Sequence, residues 1–419
     1  MDADAPPLPV TFADVEAARE RVQAAVYKTP CAHSQMLSEA AHAKVFLKLE
    51  NLQMSGSYKE RGALNKLLHL TEQERSRGVI AASAGNHAQG VSYHATRLGI
   101  DAKIVMPRHT PLIKVTQTRR FGASVELIGE TFDDAYAAAL RLAEEEGRTF
   151  VHPFNDPLII AGQGTVGLEM LEQNPYLDAV VIPVGGGGLI AGMAVAIKET
   201  NPRIKVYGVE AEALPGMRAS LEAGKVVEVN GPRTMADGIA VRRVGDVTYE
   251  IVKRYVDDVV TVDEEEISSA VLTLLEVEKT VVEGAGATPL AALLNGKLPQ
   301  LEGKKVGLVL TGGNIDVTFL NRIIERGLVK DGRMARFGVT VLDRPGVLTT
   351  LMRIVSSTMA NVLEIGHNRA FSPAAIGETQ VTLTLETRGH DHIAEITSAL
   401  TDEGFRVQML GPGAMAPAH

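Results

Sequence analysis

The sequence predicts an α/β protein with largely parallel sheets, followed by a separate ferredoxin-like unit. Three observations predict it. Short apolar strands alternate with helix-length, alanine-rich segments over roughly the first 300 residues, the pattern of strands joined by crossover helices. Several of those strands run into glycine-rich turns. Close to residue 330 the texture changes, and a second pattern in the order β-α-β-β-α-β begins. At 419 residues the chain is too long for one ordinary domain.

Residues 11–26 read as an amphipathic helix, with Thr11 as N-cap, Asp14 three residues on, and Val15, Ala18, Val22 and Val26 at helical spacing. Lys28-Thr29-Pro30 ends it. Strands are expected at Lys44–Glu50, Val79–Ser83, Ala102–Met106, Val125–Ile128, Thr149–Phe154, Ala179–Val184, Lys205–Val209, Val256–Val262 and Lys305–Leu310. Phe132–Glu146 and Ile190–Thr200 have helical periodicity. So many strands fit one barrel or two open lobes, and the pattern leaves both open. Beyond it, Phe337–Leu342, Val362–Ile365, Gln380–Leu385 and Phe405–Leu410 read as strands, with helices at Val347–Met359 and His392–Leu400. A boundary at about residue 331 separates 1–330 from 331–419.

Composition narrows the function classes. With 45% hydrophobic residues the chain buries a sizeable core. It has no uncharged apolar run long enough for a transmembrane helix. Met1–Val10 is acidic and proline-rich, unlike a signal peptide. The single cysteine, Cys31, excludes an intrachain disulfide framework and reads as a small core-lining residue. The net charge is −9, no basic cluster stands out and tryptophan is absent, which disfavours nucleic-acid binding. The eleven histidines show no metal-ligand spacing. A cytoplasmic protein with no membrane and no nucleic-acid partner is expected.

Four stretches carry chemistry. Gly185-Gly186-Gly187-Gly188-Leu189 follows an apolar strand and leads into a helix. Successive glycines leave backbone N–H groups bare, as a phosphate cradle at a helix N-terminus requires. No Gly-Lys-Ser/Thr follows, so this is not a Walker loop. Ser83-Ala84-Gly85-Asn86-His87-Ala88-Gln89-Gly90 follows another strand, with Ser83 placed to cap the next helix. Its hydroxyl, amide and backbone donors suit a carboxylate or a ring hydroxyl. Thr311-Gly312-Gly313-Asn314 ends a third strand, where open α/β sheets bind ligands. Lys59 lies among small residues, Gly56 and Ser57, at the start of a helix. Phosphate cradle, ring-edge hydroxyl, carboxylate loop and amine are the parts of a pyridoxal phosphate site.

Ser57-Tyr58-Lys59-Glu60-Arg61-Gly62-Ala63 resembles the S-[FY]-K-x-R-G-A motif of fold-type II pyridoxal phosphate enzymes. With the other three motifs it is similar to the threonine/serine dehydratase family over residues 11 to about 325, a family whose members include threonine ammonia-lyases and serine racemases. Residues 334–410 resemble an ACT domain, an amino-acid-sensing module. The resemblance implies a pyridoxal phosphate catalytic domain over 1–330, built of two open twisted α/β lobes with a small lobe at roughly 52–150, and an ACT regulatory domain over 331–419. It implies Lys59 as the Schiff-base lysine and Cα-proton base, and Asn86 beside the ring hydroxyl. The amides of Gly185, Gly186, Gly187, Gly188 and Leu189 would hold the phosphate, and Thr311 would meet the pyridine nitrogen. Ser83, Ala84, Gly85, Asn86 and His87 would bind substrate. Ser83 would also serve as an acid/base if the reaction were racemisation. The implied reaction is β-elimination from L-threonine and L-serine to a 2-oxo acid and ammonia; serine racemisation, elimination from 3-hydroxyaspartate and a silent amino-acid sensor are the alternatives. A branched-chain amino acid would bind near Gly346 and Asn361, and a homotetramer or dimer is implied. Some relatives bind a divalent ion through a Glu and an Asp six residues on; here Glu210 is followed by Gly216, so a monovalent cation or none is expected.

Overall fold

The computed structural model describes residues 8–368 and 375–411. The chain divides into two compact units, Met1–Asp316 and Val317–His419.

The first unit contains ten strands: β1 (Cys31–Ser34), β2 (Lys44–Lys48), β3 (Val79–Ala82), β4 (Ala102–Met106), β5 (Ser124–Leu127), β6 (Thr149–Phe150), β7 (Ala179–Pro183), β8 (Lys205–Ala211), β9 (Asp258–Val262) and β10 (Lys305–Val309). They form two open sheets, not a barrel: a six-stranded sheet in the order β1-β2-β10-β7-β8-β9 and a four-stranded sheet in the order β5-β4-β3-β6. Every pairing is parallel except β1 with β2. All of β3 and β7 is buried, as strands covered on both faces require. One core, including Val180, Ile182, Ile190, Val195 and Val206, packs against the larger sheet. Two others, around Val79, Ala81 and Ile104 and around Ile80, Ala82 and Val105, line opposite faces of the smaller one.

Local signals act as the sequence suggests at several ends. Thr11 caps the helix Phe12–Val22 in a reciprocal box with Asp14. Thr131 does the same with Asp134 at Phe132–Glu146. β6 is shorter than expected. Val151 N–H still donates to the Ile80 carbonyl at 2.9 Å, and past it the chain leaves the sheet, where Pro153 has no N–H to pair and His152 Nδ1 accepts from the N–H groups of Phe154 and Asn155.

The helix Pro157–Gln173, capped by Asp156, crosses both Lys59–Leu68 and Gly188–Thr200. The crossings are glycine-lined. A Cβ at Gly162 would lie 2.6 Å from Gly62 Cα, and one at Gly164 2.7 Å from the Gly192 carbonyl oxygen.

Beneath the first crossing lies a buried ionic cluster. Arg61 donates to Glu50 through Nε (2.7 Å) and Nη2 (2.8 Å), and to Glu169 through Nη1 (2.7 Å) and Nη2 (2.8 Å). Lys48 Nζ donates to Glu169 at 2.7 Å and to the Thr29 carbonyl at 2.7 Å. The cluster ties the helix that begins at Lys59 to β2 and to Pro157–Gln173, with two cations matched to two carboxylates.

The second unit begins with the helix Val317–Lys330. Its strands are β11 (Met334–Leu342), β12 (Asn361–Asn368), β13 (Glu378–Glu386) and β14 (Arg406–Met409). They pair antiparallel in the order β12-β13-β11-β14, with helices Val347–Ser357 and His390–Asp402 between them in sequence, the ferredoxin-like arrangement. Alternate residues Ala335, Phe337, Val339 and Val341 join Leu351, Val355, Ile396 and Leu400 in one core. Among the described residues no helix is long and apolar enough to cross a membrane.

Candidate active site

The site forms where the carboxyl ends of strands from both sheets of the first unit meet. The loop after β2 is stitched to the loop after β10. Tyr58 N–H donates to the Thr311 carbonyl at 3.1 Å, Gly313 N–H donates to the Gly56 carbonyl at 2.9 Å, and Ser57 bridges Gly312. This places Lys59, first residue of the helix Lys59–Leu68, beside Thr311.

The Lys59 amine donates to the Pro153 carbonyl at 2.8 Å. Desolvation lowers it to about 8, from an ordinary 10.5, with the Glu283 carboxylate pulling the other way. An amine so placed is readily deprotonated near neutral pH, as a nucleophile toward an aldehyde and a base toward carbon must be.

Next to Pro153, Phe154 packs against the glycine loop that follows β7. A Cβ on Gly186 would overlap the Phe154 ring, and one on Gly185 would come within 2.8 Å of Ile239 Cα. Gly187 has φ +93° and precedes the helix Gly188–Thr200, which has no side-chain cap. Thr248 Oγ1 donates to the Gly186 carbonyl at 2.7 Å, which holds that peptide in place. Side chains are excluded, the loop is pinned, and uncapped helix N–H groups remain, as an anion cradle requires.

A second helix N-terminus follows β3. Ser83 does not cap it, contrary to expectation: the N-cap of Asn86–Arg97 is Gly85, without a side-chain cap, and Ser83 Oγ accepts from Gly85 N–H at 3.2 Å. Ser83 lies too far upstream, so its hydroxyl closes a local turn instead. The His87 ring is buried and bonds through Nε2 to the Val151 carbonyl at 2.9 Å. Burial, then Lys59, lowers it to about 3, so the ring is neutral. With Nε2 donating to the Val151 carbonyl, the buried Nδ1 is an acceptor without a partner, so toward a carboxylate His87 offers its main-chain N–H.

Asn86 is fixed on both sides. Its Oδ1 accepts from Asn314 Nδ2 at 2.7 Å, and its Nδ2 donates to Glu283 Oε1 at 2.7 Å. Glu283 is a neighbour that motif reading missed. The available signal was a lone carboxylate before the small and apolar run Gly284–Leu294.

Glu210, at the end of β8, is buried behind the glycine loop. Its carboxylate accepts from the N–H groups of Met217 (2.7 Å) and Arg218 (2.9 Å), at the start of Gly216–Ala223. Both oxygens thus have protein donors, and among the described residues no group of three or more His, Cys, Asp or Glu could hold a metal ion. Gly346 and Asn361 lie in the second unit. Gly346, at φ +91°, starts Val347–Ser357, and Asn361 Nδ2 donates to Glu386 Oε2 at 3.1 Å.

A poised amine, a pinned glycine cradle and a second uncapped helix start define a site built for an aldehyde-bearing phosphate cofactor and an amino-acid carboxylate. Residues 22–312 match the family described as pyridoxal-phosphate dependent enzyme, and the chain belongs to that family. It is 52% identical over 402 residues to an L-threonine ammonia-lyase of Thermotoga maritima, covering 96% of this chain and 100% of that one. It is 48% identical over 317 residues to a catabolic L-threonine dehydratase of Escherichia coli, covering 75% of this chain and 96% of the relative. Among solved structures, the processed threonine deaminase isoform 2 of Solanum lycopersicum superposes with a TM-score of 0.72 at 37% identity, over 75% of this chain and 86% of that one. A serine racemase of Dictyostelium discoideum does so with a TM-score of 0.70 at 36% identity, over 74% and 100%.

Proposed function

We propose that this chain converts L-threonine to 2-oxobutyrate and ammonia by pyridoxal phosphate-dependent β-elimination, and L-serine to pyruvate and ammonia by the same route. The observation that carries the reading is the Lys59 amine, lowered to about 8, set among the glycine loop, Asn86 and Thr311. Lys59 would hold the cofactor aldehyde. The amides of Gly185–Leu189 would take its phosphate, Asn86 Nδ2 its ring oxygen, and Thr311 its ring nitrogen. Bound there, the cofactor supplies an electron sink for charge developing at the substrate Cα. A neutral hydroxyl at the ring nitrogen leaves that sink weaker than an aspartate partner would, which suits a reaction that expels a β-group promptly.

The first-turn N–H groups of Asn86–Arg97, with Ser83, Ala84 and Gly85, would receive the substrate carboxylate. Freed as the substrate amine takes its place on the aldehyde, Lys59 Nζ would take the Cα proton; the β-hydroxyl, given a proton in return, would leave as water, and the released enamine would hydrolyse to the 2-oxo acid and ammonia. The test incubates the purified holoenzyme with threonine and assays 2-oxobutyrate and ammonia. Both are expected, and both are lost in Lys59→Ala; no product from the unaltered protein ends the reading. Serine racemisation is the second reading, supported by the similarity to the Dictyostelium racemase. Chiral analysis of recovered serine separates the two.

The second unit is read as an ACT regulatory domain, supported by its ferredoxin-like order and by the uncapped helix start at Gly346. A branched-chain amino acid would dock near Gly346 and Asn361. Pairing of such units into a dimer or tetramer is supported by Leu363 and Ile365, exposed on β12. Titration calorimetry with isoleucine and valine, on the intact protein and on Gly346→Val, tests the effector reading; equal heats from both proteins would remove Gly346 from it. Any cation at Glu210 would be monovalent. We place the reaction in the cytoplasm, which the single free thiol of Cys31 suits.

A further inference from the structure

One carboxylate borders this site without a part in the reading above. Glu283 Oε1 accepts from Asn86 Nδ2 at 2.7 Å. On the other side of the same carboxamide, Asn314 Nδ2 donates to Asn86 Oδ1 at 2.7 Å and to the Ser55 carbonyl at 2.8 Å. The ends of this chain of bonds, a backbone carbonyl and a carboxylate, only accept when Glu283 is ionised. Ser55 and Asn86 use both Asn314 amide protons, so Asn86 must present its oxygen to Asn314 and its nitrogen to Glu283. The Asn86 carboxamide cannot turn over, and one of its two N–H groups remains to spare. Glu283 is itself held, by its N–H donating to the Gly312 carbonyl at 2.9 Å. Room for its carboxylate exists because neighbours lack side chains: a Cβ on Gly312 would lie 2.7 Å from Oε1, and one on Gly238 3.2 Å from it.

We propose that Glu283 is a positioning residue that, through Asn86, keeps an N–H donor turned toward the ring oxygen of the bound cofactor. The proposal rests on the functional reading above. A glutamine at this position can present an N–H to the Asn86 amide in place of an acceptor, which leaves Asn314 alone to hold the carboxamide and loosens the N–H aimed at the ring oxygen. The charged and titratable groups around the carboxylate are Tyr58 and Lys59 on Lys59–Leu68 and its N-cap, Lys114 on Leu112–Arg120, and Asp237 on the turn Asp237–Ile239.

The experiment compares holoenzymes of the unaltered protein, Glu283→Gln, Asn86→Ala and the double variant. It reads the absorbance of bound cofactor against pH, and kcat and KM for threonine. Glu283→Gln is expected to move the pH midpoint of the cofactor band and to lower kcat about tenfold, with KM changed less than about twofold. In the Asn86→Ala background the same substitution adds nothing further. Glu283→Asp, which keeps the charge but shortens the reach, is expected to shift the midpoint in part, and it serves if the glutamine variant does not fold. An unmoved midpoint in every foldable Glu283 variant, or an equal loss with and without Asn86, overturns the proposal. An unaltered protein with no cofactor band overturns the functional reading instead.

Discussion

Replacing Arg61 by methionine tests how the Lys59 helix is held. The guanidinium makes four bonds of 2.7–2.8 Å to Glu50 and Glu169. Its removal leaves two buried carboxylates against one cation, Lys48, which sits 2.7 Å from Glu169 but 3.9 Å from Glu50. Breaking a buried pair by deleting one partner costs about 3–5 kcal/mol, because the remaining charge is left desolvated. That is a large part of a usual folding free energy of about 5–15 kcal/mol. The loss must also depend on pH. Burial pushes the Glu50 carboxyl up, but Arg61, with Lys48 and Thr29, outweighs it and holds it below the ordinary value of 4.5. Glu50 therefore contributes stability above the unfolded carboxyl pKa, and that stability is lost as pH falls through its lower folded value. Without Arg61 the burial effect dominates and the folded carboxyl rises above the unfolded one. The variant then gains stability as it takes up a proton, so its deficit is smaller in acid than at neutral pH. Urea unfolding of cofactor-free protein, followed by circular dichroism at about pH 5 and about pH 8, measures both effects. Arg61→Lys keeps the charge but loses the fork, and should fall between the two. A deficit under about 1 kcal/mol at neutral pH, or one equal at both pH values, would refute the reasoning.

Three other outcomes are expected. Cofactor-free Lys59→Met should be more stable than the unaltered protein by about 1–3 kcal/mol at neutral pH, because an amine lowered to about 8 makes folding costly while it is charged. The gain should fade as pH rises from 8 toward 10.5, read by thermal unfolding. Gly187→Ala, at φ +93° and with its Cβ 2.7 Å from Thr248 Oγ1, should weaken cofactor binding about tenfold or more, measured by fluorescence titration of the cofactor-free protein. Unchanged affinity would remove the cradle assignment. Treatment with a chelator should leave the threonine rate unaltered, since both Glu210 oxygens already accept main-chain N–H groups; a rate restored only by a divalent ion would contradict this.

Parallel strands, glycine turns and Lys59 were legible because each leaves a local mark in the chain. Barrel against lobes was not, because pairing is a long-range choice: β10 inserts between β2 and β7, and no local pattern records that insertion. β1 escaped notice because four residues with a single buried position carry no strand period. Pro157–Gln173 has a clear start in Asp156-Pro157, yet three internal glycines argue against a helix until its close-packed neighbours are seen. Ser83 illustrates the limit of capping rules, since a serine two residues early serves the turn instead of the helix. Glu283 reads locally as a helix-start residue; its partner Asn86 lies 197 residues away.

The glycine-lined crossings of Pro157–Gln173 have a consequence for how a saturation mutagenesis map of this chain would look. Even alanine at Gly162 brings its Cβ to 2.6 Å from Gly62 Cα, and at Gly192 to 2.7 Å from Gly164 N. Gly162, Gly164 and Gly192 lie outside the ligand-facing motifs, and Gly62, although inside the Lys59 motif, faces the crossing helix; substitution at any of them forces apart the helices that carry Lys59 and the glycine cradle. Intolerant positions would therefore draw a line through the backs of three helices, and a reader scoring intolerance as catalysis would assign chemistry to residues whose only contribution is the absence of a side chain.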